Sequence, residues 1–546
     1  MKKKIVFLIS FLLFASYSTG TLAMEFDMLD NVDIHGFISQ GYLKSNYNNF
    51  FANTEDGTTQ FNEVGINFSS DITERLRIGV QFFARDMGTI GNNEIILDWA
   101  IADYRFKDWL GLRAGNMKLV NGLYNETRDI DMIRTNIFLP QGIYNEAWRE
   151  SSTLIQGIGI YGEVPMGSAG SLSYDGQYGT ISIAPDKGAA RLAEDQWPLA
   201  VVDISPLLAA ADPAIVAAAF GSMSAAIGTE PLGPGEITAD EYANALAQTQ
   251  ALSSQSEINL ISVDTNEIDV EQAYSGKVHW NTPVEGLVIG ASTLGYTFNA
   301  QMDSTLASSA MQTIAAYQGL SGMLQDYGDN GSVDSAADHV ELFNKADGLE
   351  GFANYGIHFP IFPTIFKTDA KTYVASIEYT WRSLVMAAEY MRTDWQIKFQ
   401  NDLFKDPVIN DLLENASDYS TMDAAGNMNI PDFSSMGWYV SGAYRFTYWF
   451  ELGAYYSEYY PDEDDKDGKI RVNDKKIDDE YHRGWLKDTC LTMRFDINEN
   501  WVAKLEGHSM DGAAILLGAD NPMPTDGSER YDKYWMLYAA KLTYSF

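Results

Sequence analysis

The last twelve residues, Trp535-Met-Leu-Tyr-Ala-Ala-Lys-Leu-Thr-Tyr-Ser-Phe546, decide the fold. Side chains in a strand alternate between two faces, and here the alternation separates apolar from polar residues. The apolar face carries Met536, Tyr538, Ala540, Leu542, Tyr544 and Phe546, and the polar face carries Lys541, Thr543 and Ser545. A strand with one apolar face, one polar face and a terminal aromatic residue is typical of a β-barrel in a membrane, with lipid outside and water inside.

The other end of the chain has the pattern of a secretory signal peptide. Lys2, Lys3 and Lys4 precede a short apolar stretch at 5–14, and Thr21-Leu22-Ala23 fits a small-residue cleavage site. The sequence therefore predicts a signal peptide at 1–23 and a mature chain at 24–546. An uncleaved anchor is the alternative, although the apolar stretch is too short for a spanning helix.

Composition excludes several classes of protein. The formal net charge is -38, which argues against nucleic acid because phosphates require basic patches. Counts of 31 Tyr, 27 Phe and 12 Trp suit aromatic girdles at the two lipid edges of a barrel. Cys490 is the single cysteine, so no internal disulfide can form.

Period-two alternation recurs in segments of about ten residues, the length that a tilted strand needs to cross a membrane. These segments predict sixteen strands, at 32–45, 61–71, 76–86, 95–106, 110–118, 154–164, 170–180, 273–281, 286–299, 370–381, 384–396, 436–446, 450–459, 488–496, 501–510 and 535–546. Short and long gaps alternate, as expected for tight turns on one rim and long loops on the other. The prediction is an all-β transmembrane antiparallel barrel.

The longest gaps, 181–272 and 300–369, are predicted to be extracellular loops with some helix. Asp212-Pro213 and Thr238-Ala-Asp-Glu241 are typical helix starts, and Asp406-Pro407 opens another possible turn. The segment 181–272 is also long enough to form a small soluble domain, and that alternative stays open.

Loop 119–153, named L3 here, contains the stretches Asn121-Gly-Leu-Tyr-Asn-Glu-Thr-Arg-Asp129 and Ile137-Phe-Leu-Pro-Gln-Gly-Ile-Tyr144. Together with the terminal Phe546, this region resembles Gram-negative outer-membrane porins, in which a similar run follows a Gly-Lys-containing strand. Such porins commonly have Pro-Phe-Gly where this chain has Val120-Asn121-Gly122. In the general porins the loop after the fifth strand folds into the lumen, so the resemblance implies that L3 forms a pore constriction. It also implies a homotrimer.

Charged residues in a narrowed lumen act where field lines are focused. The constriction candidates on L3 are Glu126, Arg128, Asp129, Asp131 and Arg134. The basic candidates on the pore wall are Arg77, Arg85, Arg113, Lys118, Lys277, Arg392, Arg445, Arg494, Lys504 and Lys541. The inward acidic candidates are Glu63, Glu378, Glu389, Glu451 and Glu506. Because basic wall residues outnumber acidic ones in this reading, we hypothesise a weak anion preference. Each charge could equally serve only to keep the lumen wet.

Two other groups of residues have spacings that suggest a metal site or a catalytic site. Glu463, Asp465, Asp467 and Asp474 have nearly the spacing of a Ca²⁺-binding loop, with Gly468 at the turn. We favour a solvated acidic loop as the interpretation, so no cofactor is expected. His508 and Ser509, with Asp511 nearby, are the closest approach to a catalytic set. No Gly-x-Ser-x-Gly motif or phosphate-binding loop occurs in the sequence, and an enzyme is not expected.

The sequence thus predicts an outer-membrane channel for passive diffusion of small hydrophilic solutes or ions, surrounded by lipid and lipopolysaccharide. Two alternatives stay open. One is a structural sleeve around a partner such as an electron-transfer cytochrome, and the other is an outer-membrane enzyme.

Overall fold

The computed structural model describes residues 32–149, 153–183, 190, 201–203, 257–259, 261–306, 362–401, 421–422, 427–474, 480–522 and 529–546. The predicted signal peptide at 1–23, the two helix starts in 181–272 and Asp406-Pro407 lie outside these residues. Among the described residues, no helix is long and apolar enough to cross a membrane.

Sixteen antiparallel strands close into one barrel. They are β1 Val32–Ser45, β2 Asn62–Asp71, β3 Leu76–Asp86, β4 Ile96–Lys107, β5 Leu110–Lys118, β6 Leu154–Pro165, β7 Ser171–Thr180, β8 Ile261–Asn281, β9 Leu287–Leu306, β10 Phe362–Trp381, β11 Leu384–Gln400, β12 Asn427–Arg445, β13 Phe450–Tyr460, β14 Leu486–Asp496, β15 Trp501–Gly512 and β16 Tyr534–Ser545. Each strand pairs with its neighbours in sequence. The predicted all-β barrel of sixteen strands is therefore confirmed.

The barrel closes between its first and last strands, which pair from Phe37↔Ser545 to Ser45↔Leu537. The terminal Phe546 takes part, because its N–H donates to the carbonyl of Gly36 and the Gly36 N–H donates to its carbonyl. A Cβ at Gly36 would lie 2.6 Å from the Phe546 ring, so glycine makes room for the terminal aromatic residue. Closure leaves no strand edge unpaired in lipid.

The alternation predicted for the last strand is confirmed by burial. Leu537, Lys541 and Thr543 are buried inside the barrel, whereas Tyr538 and Leu542 are exposed outside it. Exposed aromatic residues also gather near the short-turn rim, as in the girdles of membrane barrels. They include Phe106, Trp109, Trp381, Tyr444, Phe446, Tyr448, Trp449, Trp501 and Phe546.

Predicted strand boundaries at the short-turn rim agree with the structure to within one residue. At the opposite rim, β8 to β12 extend further than predicted, so that 261–272, 300–306 and 362–369 belong to strands. In β8 the pairing slips between Thr265 and Glu267 and again between Val270 and Gln272. Such bulges shift the side-chain alternation by one residue, which hides the strand from a period-two search.

Short helical turns complete the described structure. L3 contains two 3₁₀ turns, Asn125–Thr127 and Asp131–Ile133. Further 3₁₀ turns occur at Gly167–Ala169 and Tyr481–Gly484, and a π-helical turn spans Ile470–Asp474. Two short strand pieces, Val201–Asp203 and Glu257–Asn259, pair with each other, and Thr421–Met422 pairs with β12.

Candidate functional site

L3 lies inside the barrel and contacts strands on opposite sides of the lumen. Near its start, the N–H of Gly122 donates to Ser292 Oγ of β9 at 2.8 Å. Further along, the Asn136 side chain donates to Thr492 Oγ1 of β14 at 2.8 Å. The loop is therefore fixed to the wall at several points, and it crosses the space that a barrel of this size would otherwise leave open.

Asp131 is an almost completely buried anchor of L3. Its carboxylate lies 2.9 Å from the ammonium of Lys504 and 3.5 Å from that of Lys541, and it accepts the hydroxyl of Thr543 at 2.7 Å. Burial alone would raise the pKa of Asp131, but the two ammonium groups and the guanidinium of Arg134 outweigh it and hold the pKa well below its usual value. Asp131 therefore stays charged and fixes the middle of L3 against β15 and β16.

A second anchor is a buried cluster of arginines around Glu146. Its carboxylate lies 2.8 Å from Arg85 and 3.1 Å from Arg128, and Arg149 pairs with Glu63 of β2 at 2.8 Å. Burial lowers the pKa of Arg128 to about 10, although Glu146 acts in the opposite direction. Burial would raise the pKa of Glu146, but the arginines hold it well below its usual value. This cluster locks the end of L3 to β2 and β3.

Two smaller contacts hold the first half of L3. Asp129 accepts a hydrogen bond from Gln81 Nε2 at 2.5 Å and lies 3.3 Å from the ammonium of Lys118. Glu126 forms an ion pair with Lys277 of β8. Arg134 instead turns back on L3 and donates to the loop's own carbonyl groups.

The far edge of L3 packs on β11 and β12. The hydroxyl of Tyr144 donates to the Glu389 carboxylate at 2.5 Å, and Tyr439 donates to the same carboxylate at 2.8 Å. The contact is so close that a Cβ at Gly437 would lie 1.9 Å from the carbonyl oxygen of Gly142. Backbone therefore meets backbone at this point of the wall.

An apolar cluster packs against L3 on the side of the lumen away from β11 and β12. Phe138 of L3 stacks on Phe61 with ring centroids 5.3 Å apart and meets Phe50 edge-on at 5.6 Å. The loops after β1, β3 and β15 contribute further buried side chains to this cluster. They include Phe51, Met87, Ile90, Ala513, Ile515, Leu516, Leu517 and Tyr531. Packing of this kind excludes water from that part of the lumen.

A cavity of about 700 Å³ remains between L3 and the wall formed by β10 to β14. From L3 it is lined by Tyr124, Met132, Ile133 and Arg134, among others. The wall contributes Glu378, Thr380, Tyr439, Ser441, Arg445, Glu451 and Arg494. Apolar, aromatic and charged groups thus border the same water-accessible space beside L3.

Nine of the ten basic wall candidates lie on the inner face. Most form ion pairs. Arg113 contacts Asp103 and Asp175, Arg445 contacts Glu451 and Asp496, and Lys118 contacts Asp98. Arg77 lies near the short-turn end of β3, where it donates to Ser69 Oγ at 2.9 Å.

Arg392 does not face the lumen, and that prediction was wrong. Glu389 is buried inside the barrel, and Arg392 follows it by three residues in a regular strand, so it falls on the other face. Its guanidinium pairs with Glu463 at 3.0 Å and with Asp394 at 2.9 Å on the outer surface. The alternation counted from Glu389 is the sequence signal that places Arg392 on the outer face.

All five acidic wall candidates contact L3. Their partners are Arg149 for Glu63, Tyr124 for Glu378, Tyr144 for Glu389, Thr135 for Glu451 and the backbone N–H groups of 137–138 for Glu506. Further carboxylates of the wall were missed. The additional ones are Asp98, Asp103, Asp175, Asp488 and Asp496. Their presence removes the excess of basic residues on which the hypothesis of an anion preference depended. On L3 itself, Glu146 and Arg149 were also missed. Both are charged residues inside the predicted loop, and their charge was the available signal.

The calcium prediction gains no support. Glu463 pairs with Arg392, and Asp465 is buried and accepts the backbone N–H groups of 470–471 at 2.9 and 2.5 Å. Asp467 pairs with the lysine two residues later. These carboxylates thus have protein partners, and the side chain of Asp474 lies outside the described residues.

The catalytic reading of His508 and Ser509 also lacks support. His508 is buried on the inner face of β15, and Ser509 follows it on the outer face, so their side chains point apart. The imidazole of His508 contacts Asp488 and Glu506, so it does not activate the Ser509 hydroxyl as acyl transfer by a serine would require.

Solved structures of outer-membrane proteins resemble this fold. A loop L8 deletion mutant of OmpT from Vibrio cholerae is 10% identical at a TM-score of 0.40, and the match covers 94% of this chain and 99% of that chain. The channel DcaP of Acinetobacter baumannii is 9% identical at a TM-score of 0.41, and the match covers 94% of this chain and 97% of that chain. An anion-selective porin from Comamonas acidovorans is 10% identical at a TM-score of 0.42, and the match covers 94% of this chain and 99% of that chain.

No protein-family model matches the chain, and no curated protein matches it in sequence. Similarity at the level of these solved structures concerns the fold alone. The antiparallel barrel is accordingly assigned from the chain's own strand pairing.

Proposed function

We propose that this protein is an outer-membrane channel through which small hydrophilic solutes or ions diffuse passively. The observation that carries the proposal is the position of L3, which is anchored across the lumen and leaves a cavity of about 700 Å³ beside it. Cavities that hold small organic ligands have volumes of about 300–1,000 Å³. The space therefore suits a small solute and excludes a folded protein.

The anchoring of L3 favours a static constriction. Asp131, Glu146 and Glu389 each fix a different part of the loop to a different part of the wall. A fixed, water-lined passage lets solutes move down their gradients, so the mechanism requires no energy source. L3 then limits solute size, and its charges with those of the wall set ion preference.

An outer-membrane location follows from the same proposal. The apolar outer face and the aromatic rim suit contact with lipid, and the signal peptide predicted at 1–23 would direct export. The long-loop rim would face lipopolysaccharide. A homotrimer remains a proposal that rests on the resemblance to porins.

The sleeve hypothesis has less support than the channel. A cytochrome threaded through the barrel would have to displace L3, and that means breaking the buried ion pairs of Asp131 and Glu146. Breaking such a pair by removing a partner costs about 3–5 kcal/mol. The enzyme hypothesis rested on His508 and Ser509, which lie on opposite faces of β15.

Recording from the purified protein in planar lipid bilayers tests the channel directly. We expect stepwise insertion of stable conductances in KCl. Liposome swelling in solutes of increasing size should give an exclusion limit, and a variant that releases L3 should raise that limit. A folded protein that inserts into bilayers without any conductance, or that co-purifies with a haem protein, would overturn the proposal.

A further inference from the structure

Three lumen-facing side chains of β14 and β15 form a compact group. Cys490 stands directly opposite His508 in the strand pairing, and Glu506 precedes His508 by two residues on the same face. The Cys490 Sγ, a Glu506 carboxylate oxygen and a His508 ring nitrogen lie within 4.8 Å of one another, and all three residues are buried. Thiolate, carboxylate and imidazole are the three ligand types that zinc takes in proteins.

Asp488 orients the imidazole of this group. Its two carboxylate oxygens both lie 3.1 Å from His508 Nδ1, whereas Nε2 lies 3.0 Å from Glu506 Oε1. A histidine that binds a metal through one nitrogen usually donates its other N–H to a carboxylate, which fixes the tautomer and the ring. Asp488 is placed for that task, with Nε2 directed towards Glu506.

We propose that Cys490, Glu506 and His508 form a zinc site, with Asp488 as the residue that positions the histidine. L3 borders the site, because the Asn136 side-chain nitrogen lies 3.8 Å from Cys490 Sγ. A fourth ligand, either water or the Asn136 amide oxygen after rotation, would come from that side. Zinc binding at these residues does not require that the barrel conduct ions or solutes.

The distances require movements of about 1 Å or less, because the ligand atoms lie within 4.8 Å of one another. Zinc bonds of about 2.0–2.3 Å in a tetrahedral arrangement place ligand atoms roughly 3.3–3.8 Å apart. The His508 to Glu506 distance of 3.0 Å must therefore open by only a few tenths of an ångström. The Cys490 thiol, on the neighbouring strand, must come closer by at most about 1 Å, and side-chain rotation allows this because directly opposite residues stand about 5 Å apart at Cβ.

The charges of the group also permit an exchange of zinc for protons. Both ring nitrogens of His508 face carboxylates, which is the hydrogen-bonding pattern of an imidazolium. Zinc would take the place of the proton on Nε2 and of the thiol proton of Cys490. Two positive charges enter as two protons leave, so the net charge buried at this point does not change.

A purely structural role for the group explains less. Glu506 accepts the N–H groups of Ile137 at 2.8 Å and Phe138 at 2.9 Å, so it anchors L3 with or without a metal. That role needs Glu506 and its charged partner His508, but it has no use for a thiol. Cys490 is the one cysteine of the chain, and its place opposite His508 is the observation that points to a metal.

Titration of the purified, metal-stripped protein with Co²⁺, followed by displacement with Zn²⁺, tests the site. We expect a thiolate-to-cobalt charge-transfer absorption with a stoichiometry of one ion per chain, lost when zinc is added. Zinc binding in weakly buffered solution should release up to two protons per ion. Because the site is buried under L3, titration should be repeated after refolding with metal present.

Variants separate the metal site from a folding effect. Cys490→Ser should abolish the charge-transfer absorption, and Asp488→Asn should weaken zinc affinity about 10–100-fold. His279→Gln on β8 is the matched control and should leave zinc binding unchanged. If Cys490→Ser does not fold, the cobalt spectrum of the native chain still decides. A native chain without thiolate-to-cobalt absorption under both conditions, or a folded Cys490→Ser variant with undiminished zinc affinity, would overturn the proposal.

Discussion

The two sides of the lumen differ in how they contact L3. On the side of β1–β3, β15 and β16, L3 is held by buried ion pairs and covered by an apolar cluster that includes Phe50 and Phe138. On the side of β10–β14, L3 borders a cavity of about 700 Å³ with charged walls. The first side carries the buried ion pairs of L3, whereas the second combines the contacts at Glu389 and Gly437 with room for solute. Position and permeability can therefore be altered separately.

The largest effect is expected from Asp131→Asn, on the closed side. The substitution leaves the ammonium groups of Lys504 and Lys541 buried without their shared carboxylate, at a cost of about 3–5 kcal/mol. We expect a lower midpoint of heat unfolding in detergent, together with larger and noisier conductance as L3 detaches. Glu463→Gln, which breaks the exposed pair with Arg392, is the control and should change stability by less than about 1 kcal/mol. Unchanged stability of Asp131→Asn would argue against this anchor.

Phe138→Ala tests the apolar cluster on the same side. The ring packs against Phe50 and Phe61, and removing a buried phenylalanine costs about 3–5 kcal/mol in a well-packed core. Part of that cost can be relieved by movement of L3, so the effect on stability should not exceed that of Asp131→Asn. Ile133→Ala in the same loop is the control, because Ile133 is exposed and should contribute little. Equal destabilisation by both variants would contradict the comparison.

Gly437→Ala tests the contact of L3 with the open side. The added Cβ would fall 1.9 Å from the Gly142 carbonyl oxygen, so the far edge of L3 must move away from β12. We expect an altered exclusion limit in liposome swelling, with a smaller loss of stability than in the two variants above. Gly442→Ala lies on the same strand and has room for its Cβ, since the nearest atom is 4.0 Å away. If the two variants have the same exclusion limit and the same stability, the position of L3 does not depend on this contact.

The sequence predicted the barrel well because lipid outside and water inside impose alternation on every spanning strand. It missed the outer parts of β8 to β12, where strands leave that environment and bulges shift the phase. For the site, the sequence located L3 and its five charged candidates, but it could not pair them. Asp131 meets Lys504 and Lys541 across more than 370 residues, and only the closed barrel brings them together.

The pH dependence of L3 follows from the carboxylates of Asp131 and Glu146. Both have pKa values well below their usual range, because the neighbouring ammonium and guanidinium groups outweigh the effect of burial. A carboxylate with a lowered folded-state pKa contributes stability above its unfolded pKa of about 4, and loses it as the pH falls further. Heat stability and conductance should therefore be constant from pH 8 to about 5 and decline only below about 4. A midpoint near pH 6 would show that these anchors are not the ones that hold L3.

The smallest effect is expected from Glu378→Gln, on the open side. Glu378 lines the cavity and accepts the hydroxyl of Tyr124 at 3.0 Å, whereas the arginines nearby are paired with other carboxylates. A charge beside water acts on a passing ion by about 1 kcal/mol or less, so the permeability ratio should move towards anions by less than about fivefold. Reversal potentials in asymmetric KCl measure the shift, with Glu285→Gln in a short turn as the control. Because Glu378 contributes no anchor of L3 comparable to Asp131, stability should stay close to that of the parent protein. A change in selectivity without a change in stability would show that the cavity beside L3 is the path that ions take, and an unchanged reversal potential would place that path elsewhere.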